Sequence, residues 1–76
     1  MKDKTYDIYE NSGVVYIPIE ENIYYQILDV SGKIVQKGIA SDGQIDVKRL
    51  RKGLYYISFV HEDNMMIKDI LLKEKK

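Results

Sequence analysis

The residues that could do chemistry are few and scattered along the 76-residue chain. His61, the one histidine, stands beside Glu62 and Asp63, and an imidazole next to carboxylates is raw material for general acid–base work. Such work also needs a nucleophile or partner held at hydrogen-bond distance. The surrounding sequence offers only a loop tip at a strand end, so His61 reads as inert. Ser31 lies in Asp29-Val30-Ser31-Gly32. A nucleophile elbow needs a glycine two residues before its serine and another two after, on a strand-to-helix turn. Asp29 precedes at that distance and Gly32 follows directly. Gly32-Lys33 ends no phosphate loop either, because the upstream glycine and the following Ser or Thr are missing. This segment reads as a turn.

Metal ligands are equally sparse. Asp42 with Asp46, or Glu62 with Asp63 and Asn64, come nearest to a calcium loop, but neither has alternating oxygen ligands closed by a bidentate glutamate. The chain has no cysteine, which excludes disulfides, thiolate metal sites and a nucleophilic thiol. No metal, cofactor or catalytic residue is expected, and the chain reads as a non-enzyme.

Two features suit binding better than catalysis. Lys48, Arg49, Arg51 and Lys52 put four cations within five residues, a patch able to hold a phosphate or a lipid headgroup. The simpler reading is a solvated corner, since 12 basic residues balance 12 acidic ones and a neutral chain has no general pull toward nucleic acid. The seven tyrosines could stack bases or sugars. Tyr25 and Tyr55 fall on alternating apolar faces and read as core, which leaves Tyr24 and Tyr56 as the surface candidates.

The elements that must position these residues are strands. Seventeen residues are Ile or Val, seven are Tyr and only Ala40 is alanine, a balance that fits a pleated, half-buried surface and not a helix. Turn signals recur every eight to twelve residues, as in a small sandwich or barrel. Strands are expected over 5–10, with Tyr6 and Ile8 inward, and over 14–20, 23–30, 34–39, 44–47, 54–60 and 66–73. Asn11-Ser12-Gly13, Glu21-Asn22, Asp29 to Gly32, Ser41-Asp42-Gly43 and Glu62-Asp63-Asn64 supply the turns. Pro18 lacks an N–H and places the second strand at an edge or breaks it there. Residues 54–60 alternate most clearly, setting Tyr55, Ile57 and Phe59 against Leu54, Tyr56 and Ser58.

Seven short strands point to an all-β, two-sheet antiparallel sandwich of immunoglobulin-like type, with a partly open barrel as the alternative. The corner Leu50-Arg51-Lys52-Gly53-Leu54-Tyr55 supports the sandwich. A tyrosine just after such a corner can turn its hydroxyl back to the upstream backbone and lock the crossing between sheets. Residues 1–76 read as one domain, with 73–76 a solvated tail. No apolar run exceeds four residues, too short for a transmembrane segment or a signal-peptide core. The polar opening Met1-Lys2-Asp3-Lys4 is read as carrying no export signal.

From Tyr25 onward the order of motifs is informative. Tyr25-Gln26-Ile27-Leu28-Asp29-Val30-Ser31-Gly32-Lys33-Ile34-Val35 resembles the valine-x-isoleucine-tyrosine-aspartate-leucine-x-glycine-lysine-x-valine stretch of the C-terminal sorting domains of the Por, or type IX, secretion system. Ile45-Asp46-Val47 and Leu50 then precede Gly53-Leu54-Tyr55-Tyr56-Ile57, which is similar to that family's Gly-x-Tyr motif. Lys68-Asp69-Ile70-Leu71-Leu72-Lys73 resembles its lysine-containing last strand. The likeness covers about two-thirds of the chain, in order. The Pro-Asn-Pro-like opening usual in the family is missing, with only Pro18 in that region.

The resemblance implies a β-sandwich at the carboxyl end of an exported cargo. Its expected partners are the secretion translocon and the cell-surface anchoring machinery, and its expected place is the cell surface or the medium. By resemblance, Gly53, Tyr55 and Lys68 shape or form the recognised surface. The rival expectation is a stand-alone binding module that acts through an edge strand, homodimerising through such edges included.

Overall fold

In the computed structural model, which describes residues 7–72, seven strands form two antiparallel sheets and no helix occurs among the described residues. The strands are β1 (Tyr9–Asn11), β2 (Val14–Tyr16), β3 (Ile23–Leu28), β4 (Ile34–Ala40), β5 (Gln44–Asp46), β6 (Gly53–His61) and β7 (Asn64–Leu72). A three-stranded sheet has the order β1-β2-β5 and a four-stranded sheet the order β4-β3-β6-β7. The chain passes between sheets after β2, β4 and β5, which stacks the two layers into a small β-sandwich.

Period-two alternation explains which residues face the interior. Val15 and Ile45 come from the small sheet. Ile23, Tyr25, Ile27, Ile57, Phe59, Ile70 and Leu72 come from the large one, and all are buried. Ile8, just ahead of β1, and Ile17, Ile19 and Val47, from the connecting segments, are buried in the same cluster. Branched side chains have little rotamer freedom to lose and interdigitate well between sheets. The alternation of Tyr55, Ile57 and Phe59 against Leu54, Tyr56 and Ser58 appears as inferred: Ile57 and Phe59 are buried, Tyr55 packs on the core, and Leu54 and Tyr56 are exposed.

The strand ends differ from the sequence reading in instructive places. Within the described residues the first strand is Tyr9–Asn11, while Tyr6 and residues 73–76 lie outside them. The first hairpin turns on two residues, Ser12 and Gly13, both with positive φ, as a type I′ turn requires. Glu62 and Asp63, at φ 54° and 65°, make the same kind of turn between β6 and β7. Of the two readings of Pro18, the break applies and the edge does not. β2 stops at Tyr16 and is the central strand of its sheet, paired with both β1 and β5, so a residue without an N–H can only lie beyond its end.

Gly43 holds the passage between the sheets. It has φ +70°, and a Cβ there would run into the Ile17 carbonyl oxygen. The Ile17 N–H donates to the Gly43 carbonyl oxygen at 2.7 Å. The Ile17-Pro18-Ile19 segment thus lies directly on the β4–β5 turn.

Candidate functional site

The longest hairpin carries all three residues implicated by resemblance. β6 and β7 pair over nine positions, from Gly53 with Leu72 to His61 with Asn64. Gly53 opens β6 at φ +144°, backbone that an L side chain rarely adopts. Two residues on, the Tyr55 hydroxyl donates to the Arg51 carbonyl oxygen at 2.8 Å. The return of a tyrosine hydroxyl to the upstream backbone, expected from the Gly53-Leu54-Tyr55 corner, is therefore present. It ties the passage from β5 to the strand that follows.

Lys68 pairs with Ile57 and so shares the inward-facing side of the sheet, yet it is exposed because β7 is an edge strand. Glu10 holds the equivalent position on β1, an edge of the other sheet, where it pairs with Val15 and accepts the Gly13 N–H at 2.8 Å. The β1 and β7 edges lie next to each other. A charged group at an inward position on an edge strand discourages further strand pairing. Lys68 thus combines an accessible ammonium with a guard over the β7 edge.

Two residues of the basic cluster line a groove. Lys48 and Arg49 line an open groove of about 560 Å³ between the edges of β4 and β5, together with Lys37, Gln36 and Tyr25. Gln36 Nε2 donates to the Tyr25 hydroxyl and to the Asp46 carbonyl oxygen, both at 2.9 Å, and so bridges the two sheets. Asp46 also accepts the Lys48 N–H at 2.9 Å, and its carboxylate stands 3.8 Å from the Lys48 ammonium. Arg51 and Lys52 lie farther along the connection to β6, where Arg51 supplies the acceptor for Tyr55. Of the four cations, Lys48 and Arg49 line this groove. Lys37, unmarked by any sequence motif, joins two of them because its strand borders the same groove.

The segment Asp29 to Lys33, central to the sorting-domain likeness, is a tightly bonded turn. The Asp29 carboxylate accepts from the Ser31 N–H at 2.9 Å, the Ser31 hydroxyl at 2.6 Å and the Lys33 N–H at 3.0 Å. Gly32 N–H donates to the Asp29 carbonyl oxygen and Asp29 N–H to that of Lys33, each at 2.9 Å. These bonds, the Ser31 hydroxyl first and the Lys33 amide next, hold the Asp29 carboxyl below its ordinary range by favouring its ionised form. An aspartate, a small hydroxyl and a glycine at this spacing are what such a turn needs.

His61 has a partner that the sequence did not indicate. Its Nε2 lies 2.9 Å from Glu21 Oε1, forty positions away in the chain, in the connection between β2 and β3. The contact pins that connection to the end of β6 and brings no nucleophile with it. Tyr9 and Tyr16 stack across the first hairpin with ring centroids 5.1 Å apart, a pairing set by register alone. Tyr24 is exposed and Tyr25 buried, as their alternation implies. Among the described residues no group of three or more metal-binding side chains comes together. No helix among them is long and apolar enough to cross a membrane.

The family model for secretion system C-terminal sorting domains matches residues 11–73. That span runs from the end of β1 past the end of β7. No curated protein and no solved structure matches the chain. The matched span includes the Asp29–Lys33 turn, the Gly53–Tyr55 corner and the β6–β7 hairpin. By this match over most of its length, the chain belongs to the family of C-terminal sorting domains of the type IX secretion system.

Proposed function

We propose that this domain is a non-enzymatic targeting and anchoring module, read by the type IX machinery through its β6–β7 hairpin, with Lys68 as a direct contact. A C-terminal sorting role follows from the family. The observation that carries the finer reading is the grouping of Gly53, Tyr55 and Lys68 on one hairpin. Gly53 and Tyr55 act as architecture that sets the hairpin's angle, while Lys68 offers an accessible charge. A domain of this family implies a larger exported protein, at the cell surface or in the medium. Its partners in this reading are the translocon and the anchoring machinery.

The test is an export assay in a cell with a type IX system. A fluorescent reporter with a signal peptide is fused ahead of residues 1–76, beside a copy carrying Lys68→Glu, and folding of each is checked by circular dichroism of the isolated domain. The unaltered fusion should reach the surface or medium and the variant should accumulate in the periplasm. Periplasmic retention of a folded, unaltered fusion refutes the sorting reading for this chain. Equal export of both removes Lys68 from the contact and leaves it as an edge guard.

A further inference from the structure

The outer face of the four-stranded sheet is largely apolar. In register across β4, β3, β6 and β7, one row holds Ile39, Tyr24, Val60 and Met65, exposed at 62, 61, 55 and 65%. The row below holds Lys37, Gln26, Ser58 and Ile67, and the next Ile34, Leu28, Tyr56 and Asp69. Leu54 and Leu71 close the face. Of the twelve large hydrophobic residues exposed among those described, nine stand here. With about 200 Å² for each large side chain, their exposures leave on the order of 1,000 Å² of this sheet open to solvent. That exceeds the roughly 300–600 Å² of the largest apolar patch on a typical monomer. It matches the roughly 800 Å² per partner of a stable interface.

The arrangement of the few polar groups says what covers it. Among the described residues, only Lys37 and Asp69 are charged on this face, one on each edge strand and one row apart. Gln26 and Ser58 face outward side by side on the two inner strands. A two-fold axis along the strands, between β3 and β6, lays β4 of one copy over β7 of the other. It brings Lys37 toward Asp69 of the second copy, offset by about 7 Å along the strand, across sheets packed about 10 Å apart. The same operation sets Gln26 over Ser58 of the second copy, an amide over a hydroxyl, and each pairing occurs twice. A two-fold axis across the strands would stack each edge strand on its own copy and oppose like charges. The pattern is self-complementary in the sense that an isologous contact requires.

We propose that this face docks a second copy of the same chain, sheet on sheet, about a two-fold axis parallel to the strands. Apolar burial supplies the affinity, and the Lys37–Asp69 pairs at the rim set the orientation. The contact leaves the β7 edge uncovered, meets the β4–β5 groove only at Lys37, and does not depend on the sorting reading.

The test is sedimentation equilibrium of the 76-residue chain at micromolar concentration. The expected mass is twice the 8.9 kDa of one chain. Ile67→Lys should weaken association by on the order of tenfold or more, while circular dichroism shows an unchanged fold. Lys37→Asp and Asp69→Lys should each weaken it, and the double exchange should restore it, since both pairs re-form with reversed sign. A strictly monomeric chain overturns the proposal, including one that floats with lipid vesicles and so gives this face to a membrane. So does a dimer indifferent to Ile67→Lys, which would join through strand edges, or a double exchange without rescue.

Discussion

The Tyr55 hydroxyl and the Arg51 carbonyl oxygen, 2.8 Å apart, join the end of one connection to the strand it feeds. Gly53 lies between them with φ +144°, so the chain bends sharply enough for a side chain four residues later to reach back. The bond fixes where β6 begins, and thereby where the β6–β7 hairpin stands against the core.

Removing that bond isolates its contribution. Tyr55→Phe keeps the ring on the core and deletes only the donor, so destabilisation of about 0.5–1.5 kcal/mol is expected. Urea titration at neutral pH, read by tyrosine fluorescence, measures it. A loss near zero would show that water replaces the Arg51 contact at no cost.

Gly43 should tolerate substitution far less. Its backbone lies in the left-handed region, and an alanine Cβ would meet the Ile17 carbonyl oxygen, which is backbone and cannot swing aside. Gly43→Ala should cost at least about 1–3 kcal/mol. That is a large fraction of the stability of so short a chain, and thermal denaturation should show a clearly lowered midpoint. Gly32→Ala is the control: its φ is also positive, +90°, but nothing lies within 4 Å of its added Cβ, so the loss should be smaller.

Asp29 sets a direction for acid behaviour. Its carboxyl titrates below its ordinary value of 3.8, chiefly through the Ser31 hydroxyl and the Lys33 amide. A carboxyl depressed in the folded state stabilises the fold above its unfolded value, and that stabilisation is lost as pH falls through the folded value. Carboxyl resonances followed by NMR should therefore place the Asp29 midpoint below 3.8. Asp29→Asn keeps the acceptor oxygen and removes the charge, so the acid limb of the stability curve should become shallower. A midpoint at or above the ordinary value would mean that the turn bonds do not persist in solution.

Much of this fold was legible because its rules are local. The alternation around Ile57 declares a half-buried strand whatever it pairs with. Asp29, Ser31 and Gly32 declare a turn because an aspartate bonds its own downstream amides. The Gly53–Tyr55 corner could be anticipated for the same reason, since donor and acceptor lie four residues apart. The sorting-domain likeness rested on these local signatures in their order.

Tertiary structure decided whatever depends on which strands become neighbours. Pro18 could stand at an edge or past a strand end, and only the pairing of β2 on both sides excluded the edge. Lys37 joined Lys48 and Arg49 from another strand because their groove forms between two sheets. His61 met Glu21 across forty positions. Alternation with Tyr25 marked Tyr24 for the surface, but the face it shares with Ile39 and Ile67 was hidden, because large apolar residues alternate on both sides of these strands. Alternation shows that a strand has two faces; only the packing of one sheet on the other settles which face is covered.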